Sequence, residues 1–142
     1  MHHDADNPVV RLCAAGMAVA GDRAAARALF EQAWALRRDD YDTSIAAHYL
    51  AQCQESPHET LRWNLVAARH AESIAGDRAL GFLASLYLNL GESHRQVGEW
   101  HQAQEAVARA RAALAHLPSG GYRDFVAAGI GRLTERLHDT DG

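Results

Sequence analysis

The sequence predicts an all-α protein, an α-α superhelix of about three helical hairpins closed by a C-terminal capping helix, seven helices in a single domain. Three observations predict it. Apolar residues recur every three or four positions along most of the chain, the period of a helix with one buried face. Gly-Asp, Ser-Pro and Pro-Ser-Gly-Gly steps break that pattern where one helix should stop and the next be capped. No segment carries the pattern of a strand.

Asn7-Pro8 opens the first helix with a side-chain cap followed by a residue whose missing N–H costs nothing at that position. This helix should run to about residue 20, with Val10, Cys13, Ala14 and Met17 as its apolar stripe. Gly21-Asp22 ends it and caps a second helix, about 23–38, in which Ala26, Phe30 and Ala33 face inward. Arg37-Arg38-Asp39-Asp40 then reads as a helix end and a loop. The third helix, about 42–55, carries Ile45, Ala46, Tyr49, Leu50 and Cys53. Ser56-Pro57-His58-Glu59 combines a capping box with a first-turn proline and starts the fourth helix. Its inward face is either Trp63, Ala67, His70 and Ile74, or Asn64, Ala68 and Ala71. Gly76-Asp77 marks the next break. The best-formed hairpin spans 83–114, and Leu117-Pro118-Ser119-Gly120-Gly121 stops it. Tyr122, Phe125, Val126, Ile130, Leu133 and Leu137 then recur at helical spacing over about 122–138, with Gly129 on the same face, to cover the last hairpin. The hairpins are expected at about 8–38, 42–75 and 77–117.

At 142 residues the chain has room for one domain with a real core. Charged residues make up 23% and the net charge is −4, with no basic stripe of the kind a phosphate backbone requires, so nucleic acid is not an expected partner. All 14 basic residues are Arg, which excludes lysine Schiff-base chemistry and a phosphate-loop lysine. Cys13 and Cys53 lie in apolar helical patterns with no CxxC or paired Cys/His spacing, and read as core thiols. The start lacks a signal-peptide pattern and no stretch is apolar enough to span a membrane; a cytoplasmic protein is expected.

In the best-formed hairpin Tyr87, Leu90, Gly91 and His94 are followed by Ala103, Val107 and Ala110, a spacing that resembles the tetratricopeptide (TPR) repeat, W-x2-L-G-x2-Y then A-x3-F. Tyr87 stands in for the Trp, His94 for the Tyr and Val107 for the Phe. Ala26, Phe30 and Ala33 match the second half of the pattern again. Aligning the small residue of each first helix gives Ala14, Ala51 and Gly91, intervals longer than the repeat's usual period, and makes the second hairpin the irregular one. The segments 7–17, 39–52, 60–67, 85–94 and, more weakly, 121–133 also resemble a family of short tetratricopeptide proteins of actinobacteria and bacilli. The family's Pro-Glu-Asp/Glu-Thr is here Pro57-His58-Glu59-Thr60. The resemblance implies a fold and a cytoplasmic bacterial setting, and brings no catalytic residues.

The first helices of such an array line its concave groove. In this register Arg11, His48, Gln52, Glu55, Ser85, Leu88, Asn89, Glu92 and Arg95 border it, a polar surface with both charges. The lysine-based carboxylate clamp of chaperone-binding tetratricopeptide domains has no counterpart in a chain without Lys. His48 among alanines could serve as a hydrogen-bonding or acid–base group; the plainer role is a satisfied structural histidine. Nine histidines raise the question of a metal, but no HExxH pair exists and His94 and His101 straddle the turn at Gly98. No Ser-His-Asp order, nucleophile elbow or nucleotide loop is present.

The leading expectation is therefore a non-catalytic module binding a protein or peptide through Arg11, His48, Gln52, Glu55, Asn89, Glu92 and Arg95, with no cofactor and no metal. The alternative is a small-molecule-binding protein or minor enzyme with a pocket at the irregular hairpin, using His48, Arg62, Trp63, Asn64, Tyr87 and Asn89. A third expectation is a homodimer formed through the groove or the terminal helix.

Overall fold

The computed structural model describes residues 6–74 and 79–141, which form seven helices: α1 (Pro8–Ala18), α2 (Arg23–Ala35), α3 (Asp40–Ala51), α4 (Pro57–Glu72), α5 (Leu80–Gln96), α6 (Trp100–Leu114) and α7 (Gly121–Asp141). The fold is all-α, and consecutive helices pack in pairs, α1 with α2, α3 with α4 and α5 with α6. The chain divides into two compact units, one up to Ser73 and one from Ile74 onward. The expected break at Gly76-Asp77 lies outside the described residues.

In the first unit the core gathers Val9 and Cys13 of α1, Ala26, Phe30 and Ala33 of α2, and Ala46, Leu50 and Cys53 in and after α3. The inward set on α2 is the one its spacing predicts. On α1 the buried face is Val9, Cys13 and Gly16, so Ala14 and Met17 turn outward, contrary to the predicted stripe. The reason is Gly16. A methyl placed there would lie 2.3 Å from Phe30 Cε1, so the ring packs directly on the helix backbone and fixes that side of α1 inward.

α3 begins two residues before the predicted start, because the Asp39 side chain accepts from Asp42 N at 2.8 Å and caps it. It ends at Ala51 rather than 55. α3 is buried almost all round, including Asp42, Thr43 and Ser44. It packs against α1 and α2 as well as α4, so it shows no single apolar stripe. Ser44 donates to the Ala67 carbonyl of α4 at 2.9 Å. Ser56 caps α4 by accepting from Glu59 N at 3.4 Å, while the Glu59 carboxylate engages Arg62 instead of completing the capping box. The buried face of α4 is Leu61, Asn64, Ala67, Ala68 and Ala71, which selects the Asn64 register.

In the second unit Ala103, Val107 and Ala110 of α6 pack on α5 as their spacing predicts. Gly98, at φ 83°, makes the turn between them. His94 Nδ1 lies 2.8 Å from Glu99 Oε1 across that turn. α7 buries Val126, Ile130, Leu133 and Leu137. Tyr122 and Phe125, predicted on the same face, are 49% and 70% exposed; Phe125 lies more than a quarter-turn off the buried line, and Tyr122 continues that line at the open first turn of the helix. α7 runs beside α5 in the same direction. Tyr122 Oη donates to Ser85 Oγ at 3.1 Å, Gly129 abuts Leu88, and Arg136 lies 3.6 Å from Glu92.

Candidate functional site

The residues expected to line a groove fall into two sets, one in each unit. In the first, α1 and α3 are packed neighbours. Arg11, Gln52 and Glu55 are exposed and His48 is half-buried. Arg11 shares its outward stripe with Ala14, Ala15 and Ala18, all exposed, because Val9, Cys13 and Gly16 hold the opposite side of the helix inward. The result is a small-residue floor with a cation near one end. His48 Nε2 lies 3.4 Å from Gln52 Nε2, one helical turn on, and its ring meets Tyr49 edge-on at 4.9 Å. Burial pushes the His48 pKa below its ordinary value, which favours the neutral imidazole at neutral pH. A neutral ring beside an amide is a hydrogen-bonding pair rather than a charged one.

In the second unit Glu92 and Arg95 form a two-pronged pair at 3.0 and 2.7 Å, with Gln96 donating to the same carboxylate at 2.9 Å. The hydrogen bonds from Arg95 hold the Glu92 carboxyl below its usual range, and the same bonds raise Arg95. With Arg136 of α7 also at hand, this face of α5 is committed to its own helix and to α7. Asn89 is half-buried on α5.

The residues of the alternative pocket are also distributed over both units. Arg62 is bound to Glu59 at 2.8 Å on the surface of α4. Trp63 meets Trp34 edge-on at 4.9 Å, and the Arg37 guanidinium lies over Trp34 at 3.9 Å. Asn64 is buried in the α4 face, and Tyr87 is buried in the second unit. An open depression of about 510 Å³ is lined by Arg37, Arg38, Asp39, Asp40 and Thr43. Its groups have partners already: Arg38 binds Asp42, and Asp40 Oδ1 lies 2.8 Å from His70 Nδ1.

Sequence reasoning missed the buried cluster around Asp42. Asn7 Nδ2 donates to Asp42 Oδ1 at 2.7 Å, while the Arg38 backbone N–H and Nε donate to Oδ2 at 3.1 and 3.0 Å. Asn7 was legible as a cap, but nothing in the three acids Asp39, Asp40 and Asp42 marks the one that turns inward. Among the described residues no group of three or more His, Cys, Asp or Glu side chains could hold a metal ion, and no helix is long and apolar enough to cross a membrane. Both cysteines are buried free thiols, and burial pushes Cys13 up to about 12. Every buried side-chain polar atom among the described residues has a hydrogen-bond partner. Comparison with protein-family models, with curated proteins and with solved structures gives no match to this chain.

Proposed function

We propose that the chain is a tetratricopeptide-like interaction module that binds a peptide or protein segment on its first helices, in a cytoplasmic setting. The observation that carries this reading is the outward face of α1 and α3. On α1, exposed Arg11 shares its side with Ala14, Ala15 and Ala18; on the neighbouring α3, half-buried His48 is kept neutral by burial, and exposed Gln52 and Glu55 follow the helix end. Small side chains let a ligand backbone approach closely, and the flanking amide and charges supply donors and acceptors at its edges. Glu92 and Arg95, bound to one another, contribute less than the sequence expectation gives them.

The test is capture of binding partners by wild-type protein, followed by affinity measurement with Arg11→Glu, Gln52→Ala and Glu55→Arg. Loss of about tenfold or more in affinity for each variant, with unchanged melting, is the expected result. Equal binding by all three would reject the face.

A further inference from the structure

A groove of about 200 Å³ lies between α6 and α7, lined by Gln104, Val107 and Arg111 of α6 and Thr134, Leu137 and His138 of α7. The two helices run antiparallel along it. Arg111 stands against Thr134, and Gln104, two turns earlier on α6, stands at the end held by Leu137 and His138, a turn later on α7. Val107 and Leu137 are buried and make an apolar floor, while Gln104, Arg111 and His138 are exposed around it.

Arg111 is positioned without being neutralised. Its Nη2 donates to Thr134 Oγ1 at 2.8 Å, and that hydroxyl donates in turn to the Ile130 carbonyl at 2.7 Å. A hydroxyl holds the guanidinium in place but carries no charge to offset it. Among the described residues no carboxylate pairs with Arg111, whereas Arg95 and Arg136 of the same unit both meet Glu92. None of the six lining residues is acidic. The acids next to them in sequence are engaged or turned elsewhere. Glu105, beside Gln104, lies 2.9 Å from His101 Nε2. Glu135 and Asp139 follow Thr134 and His138, so they leave α7 about 100° further round from the buried line, and both are exposed. Arg123 and Asp124 sit about three turns back toward the start of α7, and Asp141 is its last residue, beyond His138.

An uncompensated guanidinium above an apolar floor suits a ligand with one anionic end and one apolar end. The N–H groups that Arg111 does not spend on Thr134 form a planar fork, which a carboxylate matches with its two oxygens. An apolar chain attached to that carboxylate would lie over Val107 and Leu137 and point toward Gln104. The groove is smaller than the roughly 300–1,000 Å³ of sites for larger ligands, so the chain must be short. We infer that the groove binds a small organic monocarboxylate, with its carboxylate on Arg111 and its apolar chain on Val107 and Leu137. The site uses different helices from the peptide-binding face of α1 and α3, and either reading can fail alone.

Sodium butyrate is the probe, followed through the backbone amide shifts of isotope-labelled protein, with butyramide as its uncharged counterpart and sodium chloride as a bare anion. Butyrate should give saturable shifts centred on Gln104, Val107, Thr134 and Leu137, half-complete in the millimolar range, as so few non-hydrogen atoms allow. Arg111→Gln should weaken it by about tenfold or more. Gln104→Glu sets an acid in the lining at an exposed position and should weaken it by about fivefold; it decides the matter if Arg111→Gln disturbs the packing of α7. Shifts that never saturate overturn the inference. So do equal shifts from butyramide or chloride, and butyrate binding that both variants leave unchanged.

Discussion

The side-chain amide of Asn7 donates to Oδ1 of Asp42, 35 residues further on, at 2.7 Å, and both side chains are buried. The same Asn7 accepts from Val9 N and so caps α1, while the other oxygen of Asp42 takes two N–H groups of Arg38. One carboxylate thereby joins the start of α1, the α2–α3 loop and the start of α3. Replacing it strands an amide and two donors. Asp42→Asn should destabilise the protein by about 1–3 kcal/mol, read from urea unfolding at neutral pH. A change within error would show that the cluster is decorative.

Acid should act through the same group. Burial raises the Asp42 pKa, but hydrogen bonds from Asn7 and Arg38 outweigh it and leave the folded value below the ordinary one. A depressed folded pKa contributes stability that is complete above the unfolded value, about 3.9, and is lost as pH falls through the folded value. Wild type should therefore lose this contribution only below about pH 4, and the gap between wild type and Asp42→Asn should narrow there. A gap that stays constant from neutral pH to pH 3 contradicts the assignment.

Two glycines predict opposite signs. Gly16→Ala drives a methyl into the Phe30 ring, and a stiff aromatic cannot yield as a chain end would; a loss of about 1–3 kcal/mol is expected. Gly131→Ala meets open space in a helix interior, and should gain roughly 0.5–1 kcal/mol. Thermal melts of both variants, taken at low protein concentration, give the comparison.

His94 and Glu99 hold the α5–α6 turn together. A double-mutant cycle with His94→Ala and Glu99→Ala should return a coupling of about 0.5–1.5 kcal/mol. A coupling near zero would leave His94 as packing alone.

The cysteines offer a kinetic readout. A thiol pushed up to about 12 by burial carries almost no thiolate near neutrality. Cys13 should resist a disulfide-exchange reagent in native buffer and react once denaturant is added. Prompt labelling of native protein would place it nearer the surface than Val9 and Phe30 allow.

Sequence periodicity marked the helices because burial of one side chain in three or four is what a helix on a core requires. It succeeded best on α2 and α6, where alanines and one larger residue form a single buried stripe. On α1 it selected Val10, Ala14 and Met17 by hydropathy, whereas the face is decided by the fit of Gly16 to Phe30, a property of two helices that neither reveals alone. Tyr122 and Phe125 were assigned inward for the same reason. The candidate site was legible residue by residue only in part: Arg11 is an exposed polar group on α1, whereas Gln52 and Glu55, although exposed, fall in the connection after α3, which ends at Ala51. The mutual engagement of Glu92 and Arg95 was not, because the i, i+3 spacing that permits an ion pair also permits two free charges. Asp42 escaped because its partners come from three separate segments.

Helical hairpins built largely of alanine and leucine resemble one another, and such helices can trade places or slide by a turn while still burying apolar surface. α3 is guarded against this. Its interior faces hold Asp42 and Ser44, matched to Asn7, Arg38 and the carbonyl of Ala67, and the α4 face against it holds Asn64. Shifting α3 by one turn would strand those polar atoms in a dry interior, at a cost that apolar contacts do not recover. The polar centre of the first unit thus works as a lock on helix order and register among interchangeable helices: it selects one arrangement from many of similar greasiness.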